Sequence, residues 1–246
     1  MKKYDLNGFN IIEFEELDST NTRATELPER ELADKTVVMT FRQMQGRGQT
    51  GNKWESEPYK NLSVTFVLMP QRYDAARQFA FSMVIALGCR DFIARYTGNC
   101  SIKWPNDVYV GDRKIAGILI EHHISGRYIH RSLCGIGVNI NQRKFVSDAP
   151  NPVSLFQLTG KEMDLKQTLA EFLGCMAHRY GQIYDYEKLE EDYLRYLYRK
   201  EGEYRWEDGE GAFRASVAGI DEYGRLVLKD ESGCIRKYGF KEVVFK

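Results

Sequence analysis

"GRGQTGNKWESEPYKNLSVTFVLMP", residues 46 to 70, decides what kind of sheet this chain builds. Gly46, Gly48 and Gly51 match the dinucleotide fingerprint G-x-G-x-x-G. That fingerprint works only between a strand and a helix, because the phosphate rests on the helix N-terminus. The strand is present: "TVVMTF" (36–41) is apolar and β-branched. The helix is not. Beyond Pro58 the chain runs from Asn61 to Met69 through residues of strand type. A glycine loop between two strands excludes the Rossmann arrangement. No Lys-Ser or Lys-Thr follows the last glycine, which excludes a P-loop as well. Bare glycine N–H groups together with Arg47 and Lys53 suit an anion such as a phosphate or a carboxylate. The plain alternative is a solvated flexible loop.

Working outward, "NIIEFEEL" (10–17) predicts a strand, and Asp18, Ser19 and Thr20 predict the N-cap of a short helix through Glu26. Past the second loop strand, Asp74 is placed to cap a helix carrying Phe79, Met83 and Leu87, with Gly98 as its left-handed stop. "SIKWP", "DVYVG", "KIAGILIEHHI" and "YIHRSLCGIGVNI" then read as strands separated by short turns. Asp164 to about Arg199 predicts one long helical stretch, with Leu165, Leu169, Phe172 and Met176 on one face and Asp164 with Gln167 as a capping box. The last 47 residues change texture to short alternating runs (213–220, 224–229, 234–240), which predict a small β-barrel. Strands are segregated from helices, so the fold class is α+β, divided into a main domain over 1–199 and an appendage over 200–246.

The bulk properties narrow the function. Thirty-five basic residues cancel thirty-five acidic ones, so polyanion binding by overall charge is not expected and any basic site must be local. Five scattered cysteines, never in C-x-x-C spacing, fit neither a disulfide framework nor a zinc cluster, and point to a reducing cytoplasmic setting. The start of the chain has no signal-peptide core, and the most apolar stretch, Phe79 to Leu87, is too short to cross a bilayer.

Beside the glycine loop, three segments are unusually polar. "DSTNT" (18–22) either caps a helix or turns hydroxyls toward a polar ligand ring. "KWPNDVYV" (103–110) is a proline-directed turn, or else Asn106 and Asp107 hold Mg²⁺ or the polar groups of a nucleotide. "DRKIAGILIE" (112–121) puts Lys114 at the start of an apolar strand, where it either snorkels outward or becomes a fixed charge in a low-dielectric pocket. Gly117 would allow a ligand close to the backbone, and "GIGVNIN" (135–141) adds two strand glycines and Asn139 with the same ambiguity.

In order, "DSTN", "RQMQGRGQTGNKW", "KWPNDVYVGDRKIAGILIE" and "GIGVNIN" resemble the biotin–protein ligases over essentially the whole chain, most specifically in the "KWPND" and "RKIAGILIE" pair. The resemblance implies a mixed sheet of the class II aminoacyl-tRNA-synthetase type with flanking helices, followed by an SH3-like β-barrel. It implies the substrates biotin and ATP, with Mg²⁺, and a biotinyl-5′-AMP intermediate. The partner it implies is a biotin carboxyl carrier domain, biotinylated on a lysine by a monomer or homodimer. Carried over by position, Ser19, Thr20, Asn21, Gln43, Gly46 and Gly117 would surround biotin. Arg47 and Gly48 would close over biotin and the adenylate. Lys114, with Arg47, would be catalytic. Gln49, Lys53, Trp54, Asn106, Asp107 and Asn139 would contact the nucleotide, with Asp107 as the magnesium ligand.

Two departures from the family pattern bear on function. Many relatives read G-R-G-R in the loop and carry another cation near its end; Gln49 and Asn52 stand here instead. A lost charge-assisted hydrogen bond is worth about 1.5–3 kcal/mol, so a looser hold on the adenylate is expected. "DSTN" begins at residue 18, leaving no space for the helix-turn-helix of the repressor forms, and no specific DNA binding is expected. The rival readings are a lipoate or octanoate ligase or transferase of the same superfamily, and a regulator that binds biotin or a nucleotide without turnover.

Overall fold

The computed structural model describes every residue except Thr50 and Asp148. The first part of the chain gives β1 (Lys2–Leu6), β2 (Phe9–Glu13), α1 (Thr20–Glu26), β3 (Thr36–Thr40) and a two-rung hairpin of β4 (Gly46–Arg47) with β5 (Lys53–Trp54). Next come β6 (Leu62–Leu68), the short β7 (Tyr73–Asp74), α2 (Phe79–Ile93), β8 (Cys100–Lys103), β9 (Asp107–Val110), β10 (Arg113–Ser125) and β11 (Tyr128–Val138). Three helices follow: α3 (Leu155–Thr159), α4 (Leu165–Tyr180) and α5 (Tyr186–Arg195). The chain closes with β12 (Glu203–Asp208), β13 (Gly211–Ile220), β14 (Leu226–Asp230), β15 (Ile235–Tyr238) and β16 (Val244–Phe245).

The main sheet runs β1-β2-β3-β6-β11-β10-β9-β8, with β7 alongside β11. Every pairing is antiparallel except β2 with β3. Side chains alternate across it, so each strand feeds two layers. Val37, Met39, Phe66, Cys134 and Ile136 join the large core with α2 and α4. Ile12, Val38, Val67 and Leu133 face the other way and pack with Ala24 of α1 and Leu27. The α1 face also carries Thr65, Gly135, Gly137, Gly117 and Leu119, which are in phase with Val67 and Leu133 through the strand registers. A layer built from threonine and glycine cannot fill itself. That is where the cavity lies.

Several sequence expectations change. Asp74 caps a 3₁₀ turn, its Oδ1 accepting from the Ala76 N–H at 3.0 Å, and α2 begins only at Phe79. That helix ends at Ile93, and it is Asn99, not Gly98, that takes a positive φ of 49°. The long helical stretch is two helices. Gly181 ends α4, and the Asp185 side chain, accepting from the Lys188 N–H at 3.2 Å, starts α5. Asp164 caps α4 as expected, but Gln167 turns to Glu171 at 3.1 Å instead of completing a box. The capping box belongs to Ser154 and Gln157 at the start of α3.

The last strands form an antiparallel sheet, β15-β14-β13-β12-β16, an open path with β15 and β16 at its two ends. It shares the main core through Trp206, Val217 and Leu228. Trp104 donates its indole N–H to the Gly224 carbonyl at 2.9 Å, and Gly224, at φ 81°, lies so close to Phe79 that an added Cβ would overlap the ring. No described helix is long and apolar enough to cross a membrane.

Candidate active site

Lys114 depends on an irregularity in β10. Strand periodicity would put it in phase with Ala116 and Ile118, on the core side. The pairing with β9 slips by one residue between Lys114 and Ala116, so Ile115 is the extra residue of a bulge, and Lys114 is turned to the cavity instead. Its backbone is held on the other side too: its N–H donates to the Asn151 carbonyl at 2.8 Å, and its carbonyl accepts from Val153 at 2.9 Å. The ammonium forms an ion pair with Asp107 at 2.7 Å and sits 5.8 Å from the centre of the Trp54 ring. The two charged side chains are 23% and 19% exposed.

The floor beneath them is glycine. Gly117 pairs with Gly137, and a Cβ on either would collide with Trp54, whose ring lies across this bare backbone. A Cβ on Gly135 would strike Asn21. The opposite wall comes from the start of α1. Ser19 caps that helix, accepting from the Thr22 N–H at 3.5 Å, and it also lines the cavity. Gln43 accepts from the Thr20 N–H at 3.0 Å. The Thr65 hydroxyl donates to Asn21 Oδ1 at 2.6 Å and lies 2.9 Å from the Thr20 hydroxyl, from which its oxygen can accept. Thr20, Asn21, Gln43 and Thr65 are all buried, and a buried polar group must be paired; this one network satisfies them while leaving them along the cavity edge.

Arg47 sits on the hairpin rung opposite Lys53. Its guanidinium meets Glu121 at 2.8 Å and Thr22 at 3.5 Å, and the other Glu121 oxygen accepts from Asn21 Nδ2 at 2.8 Å. Gly48 and Asn52 close the glycine loop, the Gly48 N–H donating to the Asn52 carbonyl at 2.9 Å.

One cavity of about 210 Å³ is lined by Ser19, Thr20, Asn21 and Gln43, by Arg47, Gly48, Gln49, Lys53 and Trp54, and by Asn106, Asp107, Lys114 and Gly117. Two candidates lie elsewhere. Gly46 packs under Gln43 and Trp54, where a side chain would not fit. Asn139 is buried behind β10; it donates its backbone N–H to Ile115 at 2.9 Å and its amide to Val153 at 3.0 Å, which ties down the segment that holds the Lys114 backbone. Sequence reasoning missed Thr65, Glu121 and Phe240, a cavity-lining residue from the turn between β15 and β16. The only signal for Thr65 and Glu121 is strand register, which the sequence does not carry on its face; Phe240 lies in a turn far along the chain from the rest of the cavity.

For magnesium, no group of three or more His, Cys, Asp or Glu among the described residues is arranged to hold a metal ion. Among the described residues, Asp107 is the one carboxylate lining the cavity. That donor set suits an ion carried mainly by substrate phosphates, the usual habit of Mg²⁺, rather than a resident metal.

A glycine-floored cavity with a fixed ammonium, a cationic loop above it and a polar network at one wall has room and charge for an anionic ligand. The model of the Biotin/lipoate A/B protein ligase family matches residues 13–139. The biotin–[acetyl-CoA-carboxylase] ligase of Paracoccus denitrificans is 31% identical over 226 residues, covering 88% of this chain and 92% of that protein. The bifunctional ligase/repressor BirA of Bacillus subtilis is 25% identical over 244 residues, covering 96% and 74%. Among solved structures, the biotin protein ligase of Aquifex aeolicus in complex with biotin and ATP superposes with a TM-score of 0.79 at 26% identity, covering 96% of this chain and 98% of that one. This chain belongs to the biotin/lipoate A/B protein ligase family.

Proposed function

We propose that the protein attaches biotin to a lysine of a biotin carboxyl carrier domain, through biotinyl-5′-AMP, in the cytoplasm. In the first step a biotin carboxylate oxygen bonds to the α-phosphorus of ATP and pyrophosphate leaves. In the second the carrier amine bonds to the acyl carbon, AMP leaves and the amine gives up a proton. Biotin's ureido ring offers donors and acceptors to the remaining hydrogen-bonding capacity of Ser19, Thr20, Asn21 and Gln43; an analogue lacking them would forgo those bonds. Lys114 would hold the carboxylate and the α-phosphate together against their repulsion. Magnesium would arrive on the nucleotide phosphates, with Asp107 the carboxylate nearest to join it. Trp54 would offer its face to the adenine, and the hairpin with Arg47, Gly48 and Lys53 would cover the mixed anhydride and keep water from it.

The observation that carries this reading is the bulge that turns Lys114 into the cavity, onto Asp107 at 2.7 Å. We also read residues 200–246 as an SH3-like module that completes the site through Phe240. The test is a streptavidin blot of a carrier domain after incubation with this protein, MgATP and biotin, beside Lys114→Ala and beside lipoate detected by its own antibody. Signal with biotin alone, lost in Lys114→Ala, is the expected result. Lipoylation would select the sister activity of the family, and absence of both products would remove the ligase reading.

A further inference from the structure

Of the three cations lining the cavity among the described residues, Lys114 and Arg47 are each paired with a carboxylate, and the two pairs differ in place. Lys114 and Asp107 stand at the start of β10, and Arg47 and Glu121 seven residues along it. At about 3.3 Å per residue the backbone positions of Lys114 and Glu121 are roughly 20 Å apart. The Arg47 guanidinium is therefore committed to the far rim of the floor, on Glu121 and Thr22. Glu121 is itself fixed, because its second oxygen accepts from Asn21, and Asn21 is buried and held by Thr65 and the Leu119 carbonyl. Arg47 is not fixed in this way. It rides on a two-rung hairpin, and its side chain is 45% exposed.

We infer that Glu121 is a positioning residue that parks Arg47 at the rim until a substrate phosphate draws it away, so that hairpin closure follows the arrival of an anion. This rests on the functional reading above and deepens it. A phosphate and Glu121 compete for one guanidinium. When the phosphate wins, Glu121 keeps its bond to Asn21, so the biotin wall is undisturbed while the loop moves. Glu121 thus opposes binding of every anionic nucleotide by the strength of one half-exposed ion pair and leaves neutral ligands unaffected. His123, two residues along β10, is the titratable neighbour that Glu121 influences; Arg131 lies across from it on β11, and the Arg47→Ala background separates their influence from the pair itself.

The experiment is calorimetric binding of MgATP and of adenosine to the full chain, as wild type, Glu121→Gln, Glu121→Asp, Arg47→Ala and Arg47→Ala/Glu121→Gln. Glutamine keeps an acceptor for Asn21 and loses the charge. Exposed ion pairs set the scale, so Glu121→Gln is expected to tighten MgATP about two- to fivefold. Adenosine should bind as before, Glu121→Asp should stay near wild type, and the gain should vanish in the Arg47→Ala background. Equal gains for adenosine, a gain that persists without Arg47, or no gain would overturn the inference. Biotin binding measured on the same samples keeps the two levels apart: wild-type protein that took up neither biotin nor MgATP would end the functional reading and this inference together.

Discussion

Lys114 and Arg47, two of the three cations lining the cavity among the described residues, carry the same charge and are held by opposite means. Lys114 lies at the start of β10, an interior strand of the main sheet, with hydrogen-bonded backbone on both sides and a β-bulge fixing its direction. Arg47 lies on a hairpin of two rungs and reaches its partner from above. A cation that must stabilise charge at one point gains from being immobile, since no reorganisation is needed at the moment of reaction. A cation that must admit a substrate and then cover it gains from a weak tether. The contrast is one of anchoring rather than of residue type.

The largest effect should come from replacing the anchored partner. Lys114→Ala is expected to lower the rate of adenylate formation about 10²–10³-fold in single-turnover assays, the range seen when one preorganised charge donor is lost. Arg47→Ala should act mainly on retention: release of the intermediate quickens about tenfold or more, as for a charge-assisted hydrogen bond worth roughly 1.5–3 kcal/mol, with a smaller change in its formation. If the two variants fall equally in both assays, the distinction between fixed and tethered cation fails.

A second test disturbs the floor that the two cations share. Gly137→Ala drives a methyl group into the Trp54 ring. Overpacking of this kind costs about 1–3 kcal/mol, and Trp54 has to lift from the backbone. A lower Tm with altered tryptophan emission is expected; an unchanged spectrum would mean that the ring does not rest where Gly117 and Gly137 leave room for it.

The smallest effect concerns the Arg47 end of β10 from its core side. His122, next to Glu121, packs edge-on to Phe81 and lies 2.8 Å from the Ser132 hydroxyl. Burial lowers its pKa from 6.5 to about 4, so the folded state keeps it neutral. Between those values the unfolded chain binds more protons, so its contribution is complete above pH 6.5 and is lost as pH falls toward 4. With solvent reaching part of the ring, the loss is of order 1–2 kcal/mol. Urea midpoints of wild type and His122→Asn should converge through that window. A constant gap between them would show that the imidazole does not titrate there.

Most of the cavity was legible because its residues sit in motifs of uncommon composition: a glycine loop, an Asn-Asp turn, a lone lysine opening an apolar strand. The sheet strands were legible for the same reason that they are buried, their β-branched runs. The break at Gly181 to Asp185 was missed although a glycine and a capping aspartate mark it, because apolar spacing continues through Ile183 and outweighs them. Gln167 matched the capping pattern three residues from Asp164, yet a helix neighbour four residues on, Glu171, took its side chain. Thr65 and Glu121 were missed on other grounds. A threonine inside "SVTFVL" or a glutamate after "GILI" reads as ordinary strand composition until register shows which residues lie across from it. The direction of Lys114 has the same origin, since a bulge is a property of two strands and not of either sequence alone.

The bond from Trp104 to Gly224 ties together stretches that the sequence keeps 120 residues apart. Trp104 is also three positions from Asp107, the acid that meets the fixed ammonium, and Phe240 supplies part of the same enclosure from beyond Gly224. Shortening the chain at residue 199 would therefore not yield a trimmed catalyst with its chemistry whole. It would unfasten the turn that carries Asp107 and take away the stretch of cavity wall that Phe240 supplies.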